Sequence, residues 1–208
     1  MTNTETTQAR PPLPQLGPLK PAEGAAFWKM LRACFAASTD SAQLRTWSRF
    51  IDRQNPNRDP WDGLQEMLEA PIGAGQILVL RRGSDLLGAA VTRHVADLVH
   101  ELLLICIRPD ERGQGQGRRL FRQLVAKLKK KRAGMVGFPL LITFVPEDDL
   151  PGQLFFRQVG FESPKLFQSG EPGDPGFDAQ IAMTFLQPLP RGYQRQRAKV
   201  ISQILKEF

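Results

Sequence analysis

The chain has 208 residues, 41% hydrophobic and 24% charged, enough apolar material for one globular domain with extensions. No apolar run approaches the ~20 residues of a membrane span, and no basic stretch followed by an apolar core marks a secretory signal. With two cysteines and two histidines, none in metal-like spacing, neither a protein-held metal nor a disulfide framework is expected, and a reducing, cytoplasmic setting is the default.

Residues 1–15 carry Thr, Asn, Gln and prolines with little to bury, and read as a disordered arm. Leu16 to Lys20 offers a first edge strand, broken by Pro21. From Glu23 to Ala37, Phe27, Met30, Leu31, Cys34 and Phe35 recur at helical spacing. Ser38, Thr39 and Asp40 offer caps for a second helix over 41–54, and Trp61 to Glu69 reads as a short third. The aromatics of these helices read as core residues first. Gln76 to Arg82, a turn at Gly83-Ser84-Asp85, and Leu86 to Val95 predict an antiparallel hairpin.

Glu101 to Arg132 organises the chain. Leu102 to Ile107 is a near-continuous apolar run, the pattern of a strand buried on both faces, and Pro109 stops it. Arg112-Gly113-Gln114-Gly115-Gln116-Gly117 follows, then a helix with Leu120, Phe121, Leu124, Val125 and Leu128 on one stripe. Bare N–H groups and the positive end of a helix dipole thus face whatever sits above the turn. The glycine spacing is that of neither a dinucleotide fingerprint nor a Walker loop. Net charge is +7, and Arg112 to Arg132 alone holds nine Lys or Arg with no acid. Arg112 and Arg118 suit a phosphorylated ligand; the basic residues from Lys127 on suit solvent and the helix C-terminal dipole, or a nucleic-acid patch as a less favoured reading.

Pro139 to Val145 predicts another buried strand, completing a βαβ unit. Glu147-Asp148-Asp149 and Pro151-Gly152 read as loop, and 165–168 and 179–186 as two last strands. From 189 to 208 an appendage carries Val200, Ile201, Ile204, Leu205 and Phe208 on one stripe behind a basic start. It reads as a basic amphipathic helix packed on its own domain or on a second subunit, which leaves a homodimer open; no membrane partner is expected.

The string of strand, Pro109, Arg112-x-x-Gly115-x-Gly117 and helix closely resembles the acyl-CoA-binding motif of the GNAT superfamily of N-acetyltransferases. Gln153 to Phe161 resembles that family's short helix ending Tyr-x-x-x-Gly-Phe, with Phe156 in the place of the tyrosine that often protonates the departing thiolate. The family also places its acceptor partly against the first helices, which gives their aromatics a second reading as pocket lining. Asp149 stands near where many members keep an asparagine. The resemblance covers residues 16–188. It implies an α/β (α+β) fold: a mixed, mostly antiparallel sheet of about seven strands flanked by helices.

It also implies acetyl transfer from acetyl-CoA, as co-substrate, to a primary amine of a small molecule or peptide in a ternary complex. Gly113, Gln114, Gly115, Gln116, Gly117, Arg112 and Arg118, with the backbone of Ile105, Cys106 and Ile107, would hold the CoA. Glu101 precedes Arg112 by eleven positions, the spacing of the catalytic glutamate in the histone acetyltransferase branch, and is the candidate base. On ideal alternation it shares a face with Leu103, Ile105 and Ile107. His94 and His100 are the substitutes. The alternatives are a non-catalytic acyl-CoA binder, favoured by Phe156, and a nucleic-acid-associated protein using the 112–132 surface.

Overall fold

A computed structural model describes residues 12–36, 76–96, 99–130, 140–147, 149–169 and 178–186. The expected helices at 41–54, 61–69 and 191–208, and residues 1–11 of the arm, lie outside the described residues.

Seven strands form one sheet: β1 (Gln15–Pro18), β2 (Gln76–Arg82), β3 (Asp85–Ala96), β4 (Val99–Ile107), β5 (Leu140–Pro146), β6 (Glu162–Ser169) and β7 (Asp178–Leu186). Their order is β1-β2-β3-β4-β5-β7-β6, antiparallel throughout except for the β4–β5 pair. That pair flanks the crossover helix α2 (Gln116–Lys130), which completes the expected βαβ unit. Helix α1 (Gly24–Ala36) packs on one face; α2 and α3 (Leu150–Gln158) pack on the other.

The apolar stripe of α2 is buried as its spacing requires: Leu120 and Leu124 are fully covered, and Phe121, Val125 and Leu128 nearly so. They meet Leu78, Leu80, Leu102, Leu141, Phe156 and Met183. Burying one such side chain stabilises the fold by about 1.5–3 kcal/mol, so this stripe fixes the helix to the sheet. On the opposite face Phe27, Met30, Leu31 and Cys34 of α1 cover Val79, Ala89, Val91 and Leu104. Gly88 is needed where β3 crosses β4, because a Cβ there would stand 2.4 Å from the Cys106 carbonyl oxygen.

Several boundaries differ from the sequence reading. The first strand starts at Gln15 and ends at Pro18, and Gln123 Nε2 donates to the Pro14 carbonyl, so the last residues of the expected arm are held against α2. The helix expected at Gln153 begins at Leu150. Asp149 caps it by accepting from the Gly152 N–H at 3.0 Å, and Pro151 occupies its first turn, where no N–H is required. Pro151-Gly152 is therefore helix entry rather than loop. The strand expected over 165–168 runs from Glu162 to Ser169. Among the described residues no helix is long and apolar enough to cross a membrane.

Candidate active site

The site grows from a break in the sheet. β4 and β5 pair only over Val99–Leu140, His100–Leu141 and Glu101–Ile142. Past Glu101, β4 runs to Ile107 and β5 to Pro146 with no ladder between them, while each keeps its outer partner, β3 or β7. Alternate residues of Leu104–Ile107 consequently turn N–H and C=O groups into a gap between parallel strands. At its apex the Thr143 hydroxyl donates to the Leu102 carbonyl at 2.9 Å, bridging the strands by a side chain where the ladder stops.

A bulge sets which way the side chains point. Val91 pairs with Leu104 and Thr92 with Leu102, leaving Leu103 as the extra residue. Leu103 and Leu104 both join the α1 side, whereas Leu102, Ile105 and Ile107 join the α2 side. Glu101 opposes Arg93 and Ile142, so it lies on the α1 side with Val99 and Ile142. Ideal alternation put Glu101 on the face of Ile105 and Ile107; the extra residue inverts that relation.

Glu101 is 1% exposed. Arg93 Nε donates to its Oε2 at 3.0 Å, Arg93 Nη2 donates to the same oxygen, and no described residue bonds Oε1. Burial pushes the Glu101 carboxyl above its ordinary value, and the Arg93 guanidinium only partly offsets this. The carboxylate is thus both desolvated and steered, with one oxygen left for a proton. His94 and His100 stack edge-to-face at 5.3 Å between ring centroids. His100 opposes Leu141 and so lies on the α2 side, across the sheet from Glu101.

Below the gap, β4 exits into a short 3-10 turn, Pro109–Glu111, and then into the glycine turn. Gly113 and Gly115 both have φ of +75°, and a Cβ at either would meet nothing within 4 Å. Left-handed backbone, not crowding by the protein, is what demands glycine at these two positions. Arg119 N–H donates to Gly115 C=O, so the helix begins here and the N–H groups of Gln116, Gly117 and Arg118 have no intrahelical acceptor. Gln114 Nε2 donates to the Asp110 carbonyl, Arg118 is exposed, and Gln116 is buried. A Cβ on Gly117 would sit 3.1 Å from Phe155 Cε2 and 3.8 Å from Ile107 Cγ1, so α3 reaches the cradle through Phe155.

Arg112 does something the sequence did not reveal. Its Nε donates to the Ile107 carbonyl at 3.0 Å and its Nη2 to the Cys34 carbonyl at 2.9 Å, tying the end of β4 to the end of α1. Beneath the turn Glu111 is buried, and Arg82 binds it through two parallel bonds of 2.9 and 3.0 Å. The two cysteines, expected as separate core residues, are neighbours in the cluster between α1 and β4. The Cys106 thiol holds the Cys34 thiol below its usual value, with nearby Arg112 adding to the effect; the neighbouring Cys34 and burial push Cys106 well up.

Phe156, in the motif's tyrosine position, is 8% exposed and packs edge-on against Phe155 and Phe161, with centroids 5.3 and 5.0 Å away. The side chains that sequence reasoning passed over are Arg93, Thr143 and Phe155. None belongs to a motif, and each acts only through a neighbour brought up by the fold.

Residues 73–163 match the family model described as acetyltransferase (GNAT) domain. No curated protein sequence is similar enough to match the chain. Among solved structures, the ribosomal-protein-S18-alanine N-acetyltransferase of Escherichia coli is similar with a TM-score of 0.58 at 17% identity, over 86% of this chain and 96% of that one. The spermidine N-acetyltransferase of Vibrio cholerae, in complex with CoA and spermine, is similar with a TM-score of 0.58 at 14% identity, over 84% and 95%. The PaiA N-acetyltransferase of Thermoplasma acidophilum, in complex with coenzyme A, is similar with a TM-score of 0.53 at 16% identity, over 83% and 98%. At these identities the likeness is one of fold. The family match and the parted strands above a glycine turn fall on the same stretch, and residues 73–163 are similar to an acetyltransferase (GNAT) domain.

Proposed function

We propose that the protein is an N-acetyltransferase that moves an acetyl group from acetyl-CoA directly to a primary amine. The observation that carries this reading is the parting of β4 and β5 immediately above the Gly113–Gly115 turn. A phosphorylated ligand carrying an amide-bearing arm matches both features. Its anionic end suits the open N–H groups at the start of α2, and its arm suits the unpaired edge of β4 at Ile105, Cys106 and Ile107. Gly113, Gln114, Gly115, Gln116, Gly117 and Arg118 would hold the phosphates. Arg112 would hold the turn itself, since two of its nitrogens are committed to main-chain carbonyls.

Transfer forms a C–N bond and breaks a C–S bond. The attacking amine must lose a proton, and Glu101 takes it, directly or through one water, at the oxygen that Arg93 leaves free. The departing thiolate takes a proton from water, because Phe156 has none to give. That absence favours a second reading, an acyl-CoA binder without turnover.

Calorimetric titration with acetyl-CoA, run on the wild type and on Gly115→Glu, tests the cofactor half. Micromolar binding that the variant loses is the expected result, because the new carboxylate stands against the phosphates. Failure of the folded wild type to bind sinks the acetyltransferase reading. A panel of amines with release of free CoA as the readout then separates enzyme from binder.

A further inference from the structure

Thr184 on β7 is 1% exposed, and its hydroxyl oxygen has no hydrogen-bond partner among the described residues. Its position gives that oxygen a use. Glu101 opposes Ile142 in the β4–β5 ladder, Ile142 opposes Thr184 in the β5–β7 ladder, and Thr184 opposes Glu162 in the β7–β6 ladder. Directly opposed residues share a face, so Glu101, Thr184 and Glu162 stand in one row across the α1 side of the sheet. On this face Val99, Leu140 and Ile142 form a buried cluster with Phe144 beside it, and Ala182 is fully covered; the cations registered on it are Arg93, opposite Glu101, and Lys165, opposite Ala182. Two strand spacings separate Glu101 from Thr184, roughly 10 Å between backbones.

We propose that Thr184 is an acceptor-binding residue, and that its hydroxyl oxygen receives an N–H carried by an extended amine whose reacting nitrogen lies at Glu101. The inference rests on the acetyl-transfer reading above and adds a substrate class to it: amines with a second N–H donor roughly 10 Å from the first. The row itself selects donors. A hydroxyl lone pair lies between two carboxylates, which accept only, and a buried hydroxyl without a partner is retained at a cost in stability that a bound ligand can remove. The donor can be a second ammonium of a polyamine or an amide N–H of a peptide; the chemistry is shared, and the substrates below separate the two.

The test compares Thr184→Val and Thr184→Ser with wild type, using hexylamine, a graded series of alkanediamines and a lysine-containing peptide amide, with acetyl-CoA as donor. In the wild type the ratio of kcat/KM for the best donor-bearing amine to that for hexylamine should be tenfold or more. Thr184→Val should lower this ratio about tenfold, mainly through KM, while Thr184→Ser, which keeps the hydroxyl, should preserve it. A preference rising with diamine length identifies a second ammonium as the donor, and a preference confined to the peptide identifies an amide. Thermal denaturation supplies a second readout: removing an unsatisfied hydroxyl should leave the melting temperature of Thr184→Val unchanged or raised. A clear fall in melting temperature, or a ratio indifferent to the valine, overturns the proposal while leaving acetyl transfer standing. A wild type that binds acetyl-CoA and acetylates none of these amines overturns both.

Discussion

Replacing Gly115 by alanine separates what the turn costs the protein from what it does for a ligand. At φ +75° an L-residue is strained, by about 1–2 kcal/mol. The new methyl meets nothing within 4 Å, so no collision adds to that figure. For a chain of this size 1 kcal/mol shifts the melting temperature by roughly 2–4 °C, so Gly115→Ala should melt about 2–8 °C lower. Gly83, in the β2–β3 turn at φ +64° and equally open, provides the control. Gly83→Ala carries a similar strain outside the glycine turn, in the hairpin whose Arg82 binds Glu111, and should lose similar stability. Binding should divide the two variants. The Gly115 methyl stands where an anion approaches the helix N–H groups, and it should weaken acetyl-CoA binding about 10–100-fold, or about 1.4–2.7 kcal/mol. Gly83→Ala should bind within about twofold of wild type. Thermal melts and calorimetric titration of the three proteins decide the matter. Equal affinities for the two variants, with equal losses of stability, would show that the turn is not the anion cradle.

Glu101→Gln should lower kcat about 10²–10⁴-fold, the usual contribution of a general base, and abolish a rise in rate with pH centred above the ordinary carboxylate range. Because burial raises the Glu101 carboxyl, its contribution to stability is present below the unfolded-state value of 4.5 and is lost as pH rises through the folded-state value. The melting temperature of Glu101→Gln relative to wild type should therefore increase from pH 4 upward, and a relative decrease counts against the assignment. Glu23 behaves in the opposite sense: its hydrogen bonds from Arg81 hold it at about 2, against an ordinary 4.5. Its stabilising effect should be full above 4.5 and vanish as pH falls toward 2, so Glu23→Gln and wild type should converge in acid melts. Arg112→Met removes the two bonds that join β4 to α1, and should lower the melting temperature by more than Arg118→Met, because both residues are exposed but only Arg112 is bonded among the described residues. If the two variants melt alike, Arg112 does not brace the turn.

Local pattern made the framework readable in advance. The apolar run of Leu102–Ile107, its stop at Pro109 and the stripe from Leu120 to Leu128 each follow from short-range chemistry, and all became the expected elements. What escaped depends on which strand lies beside which. The bulge at Leu103 exists only in the β3–β4 register, and it alone determines that Glu101 faces away from Ile105 and Ile107. The Arg93–Glu101 pair, the Arg112 bonds to Ile107 and Cys34, and the meeting of Cys34 with Cys106 span 5 to 78 positions, and no periodicity reports such pairings. The early start of α3 is different, because its signal was present. Asp149 followed by Pro151 is a capping residue before a first-turn proline, and reading Pro151-Gly152 as a breaker concealed it.

The absence of a hydroxyl at position 156 bears on which half of the reaction limits the rate. Deprotonating a lysine-like amine at pH 7 costs roughly 4.6 kcal/mol, while protonating a thiolate of pKa about 8.5 recovers on the order of 2 kcal/mol. A base is therefore worth more than an acid here, and with Glu101 as the proposed base and Phe156 in the motif's tyrosine position the protein would retain the larger contribution. Phe156→Tyr measures the smaller one. The ring is 8% exposed between Phe155 and Phe161, so the added oxygen gains little water, and if it finds no thiolate the variant should lose about 1–3 kcal/mol of stability. If it does reach the thiolate, kcat should rise, but by no more than roughly 30-fold, the rate equivalent of that 2 kcal/mol. The gain should in either case remain below the loss seen in Glu101→Gln. A rise of several hundredfold would mean that departure of the thiolate, not deprotonation of the amine, limits the wild-type protein, and the assignment of the main proton transfer to Glu101 would have to be abandoned.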